Sequence, residues 1–235
     1  MNIDLNCDLG EGAAHDAELM PLVSSANIAC GAHAGDEATM RQTLELARKY
    51  GVAAGAHPGY RDRANFGRLE LAIAPGEVLQ LVVEQVRELQ RIAGGLGVAL
   101  AHVKPHGALY NQAARDPALA DAIATAVQTV DARLILFGLA GSALITAAAA
   151  CGLTTAAEVF ADRRYQADGS LVPRSRQDAL ISDPEEACAQ VLRLVRAGRA
   201  QTVCVHGDGP HAVAFARQLR AALGQAQIEI KPCAA

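Results

Sequence analysis

Short apolar runs recur along the chain at 2–7 (NIDLNC), 26–30 (ANIAC), 52–56 (VAAGA), 98–104 (VALAHVK), 133–137 (RLILF), 155–160 (TAAEVF) and 202–206 (TVCVH). Between them, apolar positions take helical spacing near 16–24, 36–50, 75–94, 116–128, 142–151, 183–197 and 210–223. Three of these helices have recognisable starts, at Pro75-Gly76-Glu77, Asp116-Pro117 and Asp183-Pro184-Glu185-Glu186. Strand followed by helix, seven times over, predicts a parallel sheet. No Pro/Ser-rich linker, low-complexity tract or internal repeat interrupts the pattern, so one α/β domain spanning 1–235 is expected.

Polar residues gather just after the strands: Asp8 and Glu11, His33 and Asp36, His57 with Asp62, Lys104 and His106, Glu158 with Asp162 and Arg163, then His206 and Asp208. An open doubly wound sheet collects its ligands at one topological switch point, whereas a barrel turns all its βα loops toward one mouth. Six contributing strand ends favour the barrel.

Composition narrows the class. Hydrophobic residues make up 51% of the 235, but much of that is alanine, aromatics are 3% and tryptophan is absent, which suits helices packed through small side chains. The net charge is −4 and the arginines are dispersed, so no footprint for nucleic acid is present. Six cysteines lie far apart without a CxxC pair and read as small buried hydrophobes in a reduced, cytoplasmic protein. The stretch 134–157 carries no charge over a span-like length, but Gly138, Gly141 and Gly152 with interleaved Ser and Thr divide it into strand, turn, helix and strand; no membrane association is expected. No secretory leader is evident in MNIDLNCD.

Several stretches carry candidate chemistry. In DLNCDLGEG, alternation puts Asp4, Asn6 and Asp8 on one strand face, aiming Asp8 at the mouth, with capping of the next turn by Asp8 and Glu11 as the alternative. In NIACGAHAGD, His33 and Asp36 could pair, while Asp36 is also suited to cap the helix from 36. GAHPGYRD holds His57 at a strand end beside a Pro-Gly turn. In VKPHGALYN, one of only three lysines stands two positions from a histidine, and period two sends His102, Lys104 and His106 to one face. A buried lysine is costly unless paired or used, so Lys104 either binds a substrate carboxylate or oxyanion, or makes a structural ion pair. On the first reading Lys104→Met removes activity and spares the fold; on the second it does the reverse. VCVHGDGP adds His206 and Asp208, and GDG could cradle an anion. GxGxxG, GxxxxGK[ST] and a kinase-type glycine loop are absent, so no ATP site is expected in this chain. No HExxH or His-x3-His pair is present; Asp8, His33 and His57 could form a composite metal site, and no metal is assigned.

Taken together, DLNCDLGEG, SANIACGAHAGD, GAHPGYRDRANFGR, HVKPHGALYN, GLAGS, EVFADRRYQADGSLVPRS and VCVHGDGPHA resemble the LamB/YcsF family, in unbroken order from Asp4 to about Arg220. The resemblance implies a (β/α)7 barrel of the glycoside hydrolase/deacetylase type. It further implies ATP-dependent opening of the lactam 5-oxo-L-proline to L-glutamate, shared with two further subunits that use the ATP, with self-association left open. The expected catalytic set is Asp8, His33, His57, Lys104, His106 and Asp208. The expected substrate contacts are Asn6, Glu11, Asp36, Arg163 and His206. Phosphorylation of the amide oxygen on a partner would activate the ring, and this chain would then shield it and direct a water. Two rivals remain: a stand-alone metal-dependent deacetylase or amidohydrolase, and a non-catalytic carrier of 5-oxoproline.

Overall fold

The computed structural model describes residues 1–207 and 212–233. Seven parallel strands, β1 (Asn2–Leu9), β2 (Ser25–Ala29), β3 (Ala53–His57), β4 (Leu100–Val103), β5 (Ile135–Leu139), β6 (Thr155–Phe160) and β7 (Thr202–Val205), pair in sequence order. The ring closes where β1 pairs with both β2 and β7, so Asn6 lies beside Ser25 on one side and Cys204 on the other. A two-residue strand β8 (Glu229–Ile230) adds to the start of β1 at Asn2 and Ile3. The helices are α1 (Asp16–Leu19), α2 (Glu37–Tyr50), α3 (Pro75–Gly95), α4 (Gly107–Arg115), α5 (Pro117–Val130), α6 (Ala143–Ala150), α7 (Pro184–Arg196) and α8 (Ala212–Gln225).

Local chemistry explains the helix boundaries. Asp36, Asp116, Ser142 and Asp183 each accept a hydrogen bond from a first-turn backbone N–H, and α3, α5 and α7 start on proline. Gly51 ends α2 in the left-handed region, with φ 67°. Outward-facing Ile3, Leu5 and Cys7 of β1 are buried in the main apolar core with helix residues such as Leu44, Leu89, Ile123 and Leu219. The inward side is largely polar at β1, β2 and β4, while β5 presents Ile135 and Phe137 there. Asp4 accepts from Ser24, Ser25 and Thr202, and Asn6 donates to Glu158 and Thr202 while accepting from Asn27. His102 hydrogen-bonds Asn27 and stacks on Phe137. These polar groups are matched across the barrel, which is what makes a hydrophilic interior tolerable.

Several expected boundaries shift. The helix expected at 16–24 stops at Leu19 and continues as a 3-10 turn over Met20–Leu22, because Pro21 lacks the N–H that would extend it. The strand expected at 133–137 sits two residues later. Helix α4 is an addition to the sequence pattern: GALYNQAAR forms nine residues of helix directly after His106. The start of the helix expected from 210 lies outside the described residues. The uncharged stretch 134–157 folds as β5, α6 and β6, and no helix among the described residues is long and apolar enough to cross a membrane.

Candidate functional site

Strands β1 and β3 and the end of β4 deliver Asp8, His57 and Lys104 to the same end of the barrel. The Lys104 ammonium, 2% exposed, lies 3.0 Å from Asp8 Oδ1, 2.9 Å from Glu158 Oε1, 3.2 Å from Asn6 Oδ1 and 3.1 Å from Cys204 Sγ. Burial alone would neutralise it, but Asp8 and then the other neighbours outweigh burial and hold its pKa well above the usual lysine value. Asp8 is likewise desolvated, but His57 and Lys104 keep it ionised, well below the ordinary carboxyl range. Asn27 donates to the same Asp8 oxygen at 2.7 Å.

A histidine cluster adjoins this pair. His57 Nδ1 donates to the Lys104 carbonyl at 2.7 Å and His106 Nε2 donates to the Phe66 carbonyl at 2.8 Å. These two backbone contacts fix the tautomers and leave His57 Nε2 facing His106 Nδ1 at 3.0 Å. Glu11 Oε1 lies 3.2 Å from His33 Nε2, 3.3 Å from His106 Nδ1 and 3.7 Å from His57 Nε2, while Asp8 Oδ2 lies 3.4 Å from His57 Nε2. Two imidazole nitrogens in contact need a proton between them. Electrostatics decides where it resides. Burial opposes charge on His57, but Asp8 and Glu11 overcome it and raise its pKa, whereas burial dominates at His106 and pushes its pKa down. His33 is driven to about 4 by burial. His57 is therefore the imidazolium and His106 the neutral partner.

The loop after β3 holds the cluster. His33 stacks on His106 with ring centroids 3.7 Å apart and planes parallel within 1°. A Cβ on Gly59 would lie 2.7 Å from His33 Nδ1, and one on Gly67 would lie 2.8 Å from His33 Cβ, so both positions need glycine for this loop to close over the rings. Phe66 adopts φ 56°, rare for an aromatic residue and costing about 1–3 kcal/mol, and its carbonyl is the one that orients His106.

A narrow pocket of ≈ 40 Å³ opens over these groups, beside a groove of ≈ 660 Å³ that shares Arg163, Leu171 and Arg174 with it. Of the expected residues, Asp8, Glu11, His57, Lys104, His106, Arg163 and His206 line the pocket. His33 does not; it sits behind His106 and Glu11. Asn6 is corrected as a substrate contact, being fully buried one layer below Lys104. Asp36 is corrected too: its carboxylate caps α2 through Thr39, on the exposed side of the loop. The composite of Asp8, His33 and His57 is replaced by a different donor set, because Glu11, His33, His57 and His106 bring four donor atoms within 4.8 Å of one another. Asp208 lies outside the described residues. Sequence reasoning missed Tyr110, Phe160 and Arg174 in the pocket wall, and underused Glu158 as the second carboxylate on Lys104.

The LamB/YcsF family profile matches residues 3–235. A 5-oxoprolinase component from Tolumonas auensis is 54% identical over 246 aligned positions, covering 97% of this chain and 98% of that one. The chain belongs to the LamB/YcsF family. The lactam utilization protein from Thermus thermophilus superposes with a TM-score of 0.92 at 43% identity over 98% of this chain and 99% of that one. A peptidoglycan N-acetylglucosamine deacetylase catalytic domain from Eubacterium rectale shares the fold alone, at TM-score 0.54 and 14% identity over 99% and 89% of the two chains. The seven-stranded closed barrel expected of this family is the fold observed.

Proposed function

We propose that this chain is the ring-opening subunit of an ATP-dependent 5-oxoprolinase, acting with two further subunits that consume the ATP. The observation that carries the reading is the pair His57 and His106, whose environments drive their pKa values in opposite directions while their facing nitrogens lie 3.0 Å apart. Opening a lactam needs a base and an acid at once. Water adds its oxygen to the ring carbon and loses a proton; the C–N bond then breaks, and the nitrogen leaves with the electron pair and must be protonated. Without that protonation the tetrahedral adduct collapses back. Neutral His106 is suited to take the proton from water at Nδ1, the lone pair freed when the His57 Nε2 proton turns to the ring nitrogen, with Glu11 at 3.3 Å stabilising the imidazolium that forms. His57 is suited to protonate the nitrogen. Lys104 supplies fixed positive charge near the developing oxyanion. The narrow pocket shields an activated ring from bulk water.

The test is reconstitution with 5-oxoproline and ATP. Turnover is expected only when this chain and both partner subunits are combined; equal turnover by the partners without it would remove the assignment. The isolated chain is expected to bind no ATP in the micromolar range by calorimetry, since it carries no phosphate-cradling loop followed by lysine.

A metal-dependent reading is carried by the same lone pairs. The carbonyl contacts at His57 and His106 are of the kind that orient metal-bound imidazoles, and donor separations of 3.0–3.7 Å suit a small divalent ion. The parallel stacking of His33 on His106 prevents both rings from directing in-plane lone pairs at one ion, so the fit is to Glu11, His57 and His106. Such an ion would supply Lewis acidity there. Elemental analysis of the purified chain decides: on the acid–base reading, metal content is substoichiometric, and treating this chain alone with chelator, removed before the partners and Mg²⁺–ATP are added, leaves the reconstituted activity intact.

A further inference from the structure

The pocket wall also holds donors whose hydrogen-bonding capacity is only partly used. Arg163 is 3% exposed, its Nη2 donates to the Val172 carbonyl at 2.6 Å, and its Nε has no partner. Tyr110, also 3% exposed, presents a buried hydroxyl whose nearest acceptor is the Glu158 carboxylate, too loosely approached for a full hydrogen bond. Both line the pocket, as does Arg174. Among the described residues neither guanidinium forms an ion pair; Arg174 donates instead to His206 Nε2 at 2.7 Å. That contact is itself oriented, because His206 Nδ1 donates to Asp162 at 2.8 Å and so leaves Nε2 as the acceptor. The chain Asp162, His206, Arg174 thus aims a guanidinium from the β6–α7 loop. That loop is folded back on itself by bridges from Arg163 to Leu180 and from Tyr165 to Leu171.

Burying one guanidinium beside another is unfavourable without an anion. Burial first, and then the Arg174 charge, lower the Arg163 pKa to about 10, while burial and the Glu158 charge keep the Tyr110 hydroxyl protonated. An unsatisfied buried donor of this kind is unfavourable until a ligand accepts from it. On the acid–base side of the pocket, by contrast, carboxylates stand among the imidazoles and repel an anion.

We propose that Arg163, Arg174 and Tyr110 form an oxyanion subsite that holds the charged group of the substrate opposite the His57–His106 pair. The group is either the ring's own carboxylate or a phosphoryl group placed on the ring oxygen; both offer the acceptor oxygens that Arg163 Nε lacks and that Arg174 and Tyr110 could share. The subsite orients the ring so that its amide carbon faces His106. This rests on the lactam-opening reading, and makes Arg174, which that reading does not use, a substrate-binding residue.

Arg174 is exposed on its loop, so Arg174→Gln preserves the fold. Tyr110→Phe removes one oxygen and serves as the second variant. Calorimetry on the isolated chain with 5-oxo-L-proline, uncharged pyrrolidin-2-one and inorganic phosphate separates the sources. Arg174→Gln is expected to weaken at least one anion by about tenfold or more, and Tyr110→Phe to weaken the same anion. Loss confined to 5-oxoproline, with pyrrolidin-2-one unchanged, identifies the carboxylate; loss confined to phosphate identifies the phosphoryl group. The proposal is overturned if neither anion binds the wild-type chain, or if both bind Arg174→Gln within about twofold of it. Failure of the lactam-opening reading shows separately, as no gain in turnover when the wild-type chain joins its partners.

Discussion

Replacing Lys104 by methionine is expected to lower both turnover and stability. The ammonium sits between Asp8 and Glu158, 3.0 and 2.9 Å away, with Asn6 and Cys204 completing its contacts. Methionine keeps the length of the side chain but leaves the buried Glu158 carboxylate without a cation and Asp8 with His57 alone, and breaking a buried pair in this way costs about 3–5 kcal/mol. The sequence alone set a catalytic role against a structural one, with opposite outcomes for this variant; the geometry joins them, because the contact that stabilises the fold also fixes Asp8 against His57. Turnover per folded molecule is expected to fall by about 10² to 10³, the usual effect of removing one preorganised charge from a site. Glu158→Gln separates the two effects. Glu158 is fully buried and outside the pocket wall, so adding this change to Lys104→Met removes one orphaned carboxylate. The double variant is expected to recover much of the melting temperature and none of the turnover. Turnover rising together with melting temperature would show that Lys104 serves architecture alone.

The barrel was legible because its two periodicities are clean. Seven apolar strands and their helices could be placed within a few residues, and the polar residues at strand ends marked the mouth. Alternation along β1 also foretold that Asp4, Asn6 and Asp8 share a face, but alternation says nothing about depth. Asn6 therefore read as a ligand when it lies a layer beneath one. Asp36 read two ways for a simpler reason: a capping aspartate and a catalytic one occupy the same position after a strand and before a helix. Glu11 was ranked below its neighbours because its role comes from three histidines on other loops converging on one oxygen. Arg174 and Tyr110 stand within EVFADRRYQADGSLVPRS and HVKPHGALYN, but nothing in their spacing or chemistry singles them out there. The first reaches the pocket only because the loop from Asp162 folds back, and the second only because α4 begins directly after His106.

His57→Gln carries the other large expected effect. Glutamine retains an N–H to offer the Lys104 carbonyl but cannot bear the proton that Asp8 and Glu11 stabilise on His57. Losing a positioned general acid lowers the rate by about 10² to 10⁴. The pH profile gives the sign. A histidine whose pKa is raised in the folded state is protonated throughout the range below its unfolded value of about 6.5, so any stability it contributes is complete there and is lost as pH rises through the folded value. The acid and base roles together set the profile: wild-type kcat/KM in the reconstituted complex, with ATP saturating, is expected to hold between the depressed pKa of His106 and the raised pKa of His57, to decline above the latter as the acid is lost and below the former as the base is protonated. Asp8 and Glu11 add no competing limb near neutrality, because both carboxyls are held below their ordinary range and are already ionised there. In His57→Gln the residual rate is expected to lose the alkaline limb. An unchanged alkaline limb in that variant would assign the titration to another group and return His57 to a purely positioning role between Asp8 and His106.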